Sequence, residues 1–183
     1  MKKLVSLLLT AAVTISALVA APTISEPVEL KAGTDYTIET CFFGDKYFTI
    51  DGNKIYFNKG AKATNHAILF KFTDPSIIPE NAVIEIEYTM DKYDPKKSCQ
   101  VCIQPANDKA VDYNKQNYPI LWNNYEPDTP TVMPIDCDRL LSSSVKKGLV
   151  GFRICNNEGS YEKYKWQSDW GFTITKVTLK PKN

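Results

Sequence analysis

The chain has 183 residues, 43% of them hydrophobic, with 22 Lys and Arg against 21 Asp and Glu and a single histidine. So even a balance excludes an electrostatic case for binding nucleic acid or an anionic membrane, and histidine-dependent catalysis has only His66 to rest on. Aromatic residues are plentiful instead, ten of them tyrosines, which offer an apolar ring face together with a hydroxyl that can stay wet.

In chain order, residues 1–21 come first: two lysines, a long apolar run and then small residues, the layout of a secretory signal peptide. Cleavage is expected after Ala20 or Ala21. Ser6, Thr10, Thr14 and Ser16 dilute the run and argue against an uncleaved membrane helix. Nothing after Ala21 is apolar over the roughly 20 residues a bilayer requires, and no cysteine stands at the boundary to take a lipid anchor. The mature protein is expected to be secreted or on the cell surface, extracytoplasmic and without membrane contact. Losing Lys2 and Lys3 takes the 22 basic residues to 20 against 21 acidic ones, still close to neutral. The remaining length suits one domain. Residues 22–34 read as a Pro-punctuated leader and 35–183 as a single β-sandwich domain.

Short runs rich in Val, Ile, Tyr, Phe and Thr then recur between turn signals, which predicts antiparallel strands. They are YTIET (36–40), KYFTI (46–50), KIYFN (54–58), HAILFKFT (66–73), AVIEIEYT (82–89), SCQVCIQ (98–104), YPILW (118–122), TVMPID (131–136), GLVGFRICN (148–156) and GFTITKVTLK (171–180). Asp51-Gly52-Asn53 between the second and third marks a hairpin. One segment competes as a helix, 136–147, where Asp138 is a candidate cap and Gly148 a stop; a turn or two is expected. The fold class is all-β, an antiparallel β-sandwich or jelly roll of about ten strands.

Five cysteines, Cys41, Cys99, Cys102, Cys137 and Cys155, in an exported chain point to two disulfides and one thiol over, with the pairing open; five reduced, buried cysteines are the alternative in an anaerobic source. Cys99-x-x-Cys102 has no second CxxC or His pair, and on a strand its cysteines face opposite ways, which disfavours a zinc knuckle and a thioredoxin-like site. His66 opens an apolar strand and reads as structural. The best catalytic candidates are Glu85 and Glu87, followed by Asp91, because alternate strand residues share a face and glycosidases use two nearby carboxylates. They lack an E-x-D-x-x-E spacing, and with Ile84, Ile86 and Tyr88 turned to the core they read as the solvated side of an amphipathic strand. No catalytic residue is assigned. No EF-hand-like spacing occurs; one structural calcium ion is compatible with a secreted sandwich, with Asp169 as a candidate ligand, and no metal ligand set is assigned.

Sugar rings present C–H faces that stack on Trp or Tyr, and hydroxyls that bond Asn, Asp, Gln or Lys. Two mixtures of that kind occur: Tyr118, Trp122, Asn123, Asn124, Tyr125 and Glu126, then Tyr161, Tyr164, Lys165, Trp166, Gln167, Asp169 and Trp170. Trp170 leads straight into the last strand and reads as core; Trp122 and Trp166 are divided evenly between core and surface.

Several segments resemble the β-sandwich carbohydrate-binding modules and related galactose-binding-like domains of secreted polysaccharide-degrading systems, over most of residues 36–180. AILFKF (67–72) followed by IIPENAVIEIEY (77–88) resembles a recurring strand pair of that family. ILWNNYEP (120–127) is similar to its Trp-Asn-rich segment, and PIDCDRLL (134–141) with KGLVGF (147–152) to a further conserved stretch, from which Cys137 and Asp138 depart. TITKVTL (173–179) looks like the closing strand, but Thr175 and Lys176 stand where many members have acidic residues, which removes support for the family's calcium site.

The resemblance implies a monomeric, non-catalytic binder of a polysaccharide or other glycan. The expected ligand-binding residues are Trp122, Tyr125 and Trp166 as stacking platforms, Tyr118 and Tyr164 as secondary ones, and Asn123, Asn124, Gln167 and Asp169 as hydroxyl selectors. Two alternatives come from other classes: a surface interaction or inhibitor protein using the same aromatics against a protein partner, and a glycoside hydrolase using Glu85 and Glu87.

Overall fold

Val, Ile, Phe and Tyr at alternating positions build strands that pair into two sheets around one core. A computed structural model of the chain describes residues 22–41, 48–58, 67–94, 99–112, 116–121, 131–156 and 169–182, with backbone alone for 99–100, 116–121 and 156. The strands are β1 (Val28–Glu29), β2 (Tyr36–Thr40), β3 (Phe48–Asp51), β4 (Lys54–Phe57), β5 (Ala67–Phe72), β6 (Ala82–Lys92), β7 (Cys99–Asn107), β8 (Gln116–Leu121), β9 (Thr131–Asp136), β10 (Leu149–Asn156) and β11 (Trp170–Pro181); among the described residues the helices are a 3-10 turn at Pro75–Ile77 and one short α-helix, α1 (Cys137–Leu141). One sheet runs β3-β4-β11-β6-β9 with β1 also against β11; the other runs β2-β5-β10-β7-β8. Every strand pair is antiparallel. The architecture is an all-β antiparallel sandwich.

The two sheets differ in how they meet water, and the sequence pattern follows. In β6, Ala82, Ile84, Ile86, Tyr88 and Met90 are buried while the residues between them are half-exposed, the alternation of a sheet with one wet face. In β5 and β10 burial is nearly continuous: Ala67, Ile68, Leu69, Phe70 and Phe72, then Phe152, Arg153, Ile154 and Cys155. The five-stranded sheet is thus covered on both sides. Its inner face joins the main core, and its outer face holds a second apolar cluster of Cys41, Ala67, Leu69, Cys102, Ala106, Val111 and Cys155.

Aromatic ladders tie neighbouring strands. Phe70 stacks on Tyr36 at 4.3 Å and on Phe152 at 4.8 Å, linking β2, β5 and β10. In the other sheet Trp170 packs against Phe57 at 4.8 Å and Phe172 at 5.7 Å. Trp170 is fully buried, a core residue as its place in the sequence suggests.

Three local features refine the sequence reading. The β3–β4 hairpin turns at Gly52 and Asn53 between the paired Asp51 and Lys54; Gly52, at φ 58°, takes the first turn position, where a type II′ turn demands glycine. The helix is capped by Asp136, not Asp138: the Asp136 side chain accepts from the Asp138 N–H at 2.9 Å. The carboxylate of Asp138 instead accepts from the Asn81 N–H and from Lys182. The stretch read as a leader also enters the fold: Val28 and Glu29 pair with Leu179 and Thr178, the Leu30 N–H bonds the Val177 carbonyl at 2.9 Å, and Leu30 is buried in the main core.

The disulfide expectation is not met. Cys41, Cys102, Cys137 and Cys155 are buried and none is disulfide-bonded; the nearest approach of two sulfurs is 4.0 Å, about twice a disulfide bond length. Where a large core exists, thiols pack as small apolar groups and no cross-link is needed to hold the fold.

Candidate functional site at one end of the sandwich

Register places five connections at the same end of the molecule. In the five-stranded sheet Thr40 lies opposite Ile68, Ala67 opposite Cys155, Asn156 opposite Val101 and Cys99 opposite Leu121. In the six-stranded sheet Phe48 and Trp170 both lie opposite Phe57, Gly171 opposite Lys92 and Thr131 opposite Tyr88. The segments joining β2 to β3, β4 to β5, β6 to β7, β8 to β9 and β10 to β11 therefore all leave and return here, each crossing from one sheet to the other.

Both aromatic mixtures belong to this set. Trp122, Asn123, Asn124 and Tyr125 fall between β8 and β9; Tyr164, Trp166 and Gln167 fall between β10 and β11. These seven, like His66, lie outside the described residues. Tyr118 sits in β8 opposite Val101, described by its backbone. Asp169 is described in full: its carboxylate accepts from Lys92 Nζ at 2.8 Å, with both side chains well exposed. An exposed pair of this kind is worth about 0–1 kcal/mol, and the carboxylate has further lone pairs to offer.

The described floor of this end is closely packed. Trp170 and Phe57 close the core beneath it. The Tyr56 ring lies over Gly171, where a Cβ would come within 2.3 Å of the ring, and Thr173 donates to the Asp91 carboxylate. Sequence reasoning did not single out Lys92 or Tyr56. Their relevance depends on standing opposite Gly171, a relation between strands about eighty to a hundred and fifteen residues apart that no local pattern announces.

The alternative acidic site lies elsewhere. Glu85 and Glu87 alternate with buried Ile84, Ile86 and Tyr88 on the outward side of β6, and Glu85 is ion-paired with Lys180. Thr175 is the extra residue of a bulge in β11, with Lys176 opposite Glu87 and both exposed. Among the described residues no group of three or more His, Cys, Asp or Glu is arranged to hold a metal ion, and no helix is long and apolar enough to cross a membrane.

Two depressions occupy the opposite end. One, of about 70 Å³, lies between α1 and β7 and is lined by Ile103, Asp112, Asp136, Leu140 and Ser143 among others; the other, of about 410 Å³, is an open hollow beside Glu80, Asn81, Asp138 and Lys146. Neither is lined by an aromatic ring. Nearby, burial together with the Asp136 and Asp138 charges pushes the Cys137 thiol up to about 12, so it stays protonated and unreactive at neutral pH.

No family model, curated protein or solved structure matches the chain. The sandwich is consistent with the general architecture of carbohydrate-binding modules, and the functional reading rests on the chain's own residues.

Proposed function

We propose that this protein is an exported, non-catalytic carbohydrate-binding protein that recognises a polysaccharide by aromatic stacking. Trp122, Tyr125 and Trp166 are the main platforms, Tyr118 and Tyr164 the secondary ones, and Asn123, Asn124, Gln167 and Asp169 select hydroxyls. The observation that carries this reading is topological: the two stretches richest in Trp, Tyr and Asn join strand ends at one and the same end of a rigid sandwich. Residues gathered on connections above a fixed scaffold are favourably placed for binding. Trp170, buried in the core, anchors the second stretch instead of contacting ligand.

Affinity electrophoresis of the mature protein against plant, fungal and bacterial polysaccharides, with reducing ends assayed in the same samples, tests the proposal. Retardation by at least one polysaccharide without new reducing ends is expected, and Trp122→Ala and Trp166→Ala should each weaken it by about tenfold, the scale of one lost ring stack. Absence of binding across the panel, or variants that bind like the parent, overturns the reading. New reducing ends that disappear in Glu85→Gln would assign hydrolysis.

A further inference from the structure

The second apolar cluster, on the outer face of the five-stranded sheet, plays no part in the proposed glycan site, yet it gathers three thiols. Cys155 on β10 and Cys102 on β7 are direct cross-strand partners. Both belong to the cluster, as does Cys41 just after β2. The Cys155 thiol also donates to Gln104 Oε1 at 3.2 Å on the same face.

Backbone geometry selects one pair among these cysteines. Directly opposed residues of antiparallel strands have Cα atoms about 4.5 or 5.5 Å apart, according to the kind of pair, and both values fall inside the 4.4–6.8 Å span that a disulfide tolerates. Cys41 follows β2, which β5 separates from β10, so it stands opposite no other cysteine across a strand pair. Cys99 precedes Cys102 by three residues on one extended strand, about 10 Å away. Cys137 belongs to α1 and the main core, on the far side of the sheet from this cluster.

We propose that Cys102 and Cys155 form a redox pair that closes into a cross-strand disulfide when the folded protein meets a small disulfide oxidant. Cys102 loses its proton and attacks one sulfur of the oxidant; the oxidant's S–S bond breaks, and the departing thiolate takes up a proton. Cys155 then loses its proton and attacks Sγ of Cys102 in the mixed disulfide, releasing the second small thiol. Two protein thiols give up two electrons and two protons, and one small disulfide becomes two thiols. Closure is slow, because both thiols are buried; the neighbouring Cys102 thiol and desolvation hold Cys155 well above the ordinary thiol range. In a reducing medium the pair stays open, and an oxidising one locks β7 to β10.

The test uses the full folded protein, incubated with bis(2-hydroxyethyl) disulfide, quenched by alkylation and mapped by non-reducing peptide mass spectrometry. A predominant Cys102–Cys155 linked peptide is expected, with Cys137 recovered as a thiol and the melting temperature of the oxidised form raised. Cys41→Ser should form the same link. Cys155→Ser, or Cys155→Ala should the first variant fail to fold, should stop at a mixed disulfide on Cys102. Recovery of both residues as thiols after exhaustive treatment, or a predominant link through Cys41 or Cys99, overturns the proposal.

Discussion

Thr178 sits on β11 between Glu29 of β1 and Glu85 of β6, buried on the side of the sheet that otherwise faces water. Its hydroxyl has no hydrogen-bond partner. A buried, unmatched hydroxyl costs about 1–3 kcal/mol of desolvation, whereas valine keeps the shape and the β-branched preference for a strand. Thr178→Val is therefore expected to stabilise the fold by about 1 kcal/mol, read as a melting temperature higher by about 2–4 °C; a lower one would show that the hydroxyl finds a partner in solution. Gly151 is under a different constraint. A Cβ there would lie 2.0 Å from the Phe70 carbonyl oxygen, so β10 can pass β5 this closely only with glycine at that position. Gly151→Ala should cost more than about 2 kcal/mol, seen as a lower denaturation midpoint in urea, and an unchanged midpoint would mean that the two strands part without penalty.

At the scale of elements, strand placement follows from periodicity. TVMPID (131–136) coincides with β9, and the runs around AILFKF and AVIEIEYT need only a few residues of adjustment. These segments were legible because burial on one or both faces dictates which positions are apolar. β1 was not, since two exposed residues carry no pattern and owe their strand to β11. The helix cap was legible in kind but displaced, because Asp136 and Asp138 flank Cys137 and both reach Lys182, and only the tertiary bond from the Asn81 N–H to Asp138 separates their roles. Disulfides were inferred from export and an odd cysteine count, a compartment argument that says nothing of how well a thiol packs. Of the candidate site, the residue types were readable, but their arrival at one end depended on long-range register, which no local stretch encodes.

For the molecule as a whole, the end opposite the aromatic-bearing segments is fastened by an ionic clamp. Lys182 reaches Asp136 at 2.6 Å and also Asp138, while its backbone N–H bonds the Asn81 carbonyl at 2.8 Å. The Lys182 ammonium and the Asn81 N–H hold the Asp138 carboxyl below its ordinary value, and the two carboxylates hold Lys182 above its own. A depressed carboxyl stabilises the fold above its unfolded pKa near 4 and loses that contribution as pH falls through the folded value; a raised lysine stabilises below about 10.5 and loses it as pH rises through the folded value. The clamp is thus intact between roughly pH 4 and 10.5, and with exposed partners it contributes about 0–1 kcal/mol. Asp138→Asn should lower the melting temperature slightly at pH 7 and at low salt, and the difference from the parent should vanish toward pH 2. A difference that persists there would assign the effect to packing.

Pro119 in β8 and Pro134 in β9 stand within the strands that end their two sheets. A strand at the rim of a sheet is a template on which another chain can add itself, and a proline there withholds an amide that the newcomer would need. Growth of either sheet past these two rims is impeded, so the addition of a second chain's strand along that side is disfavoured.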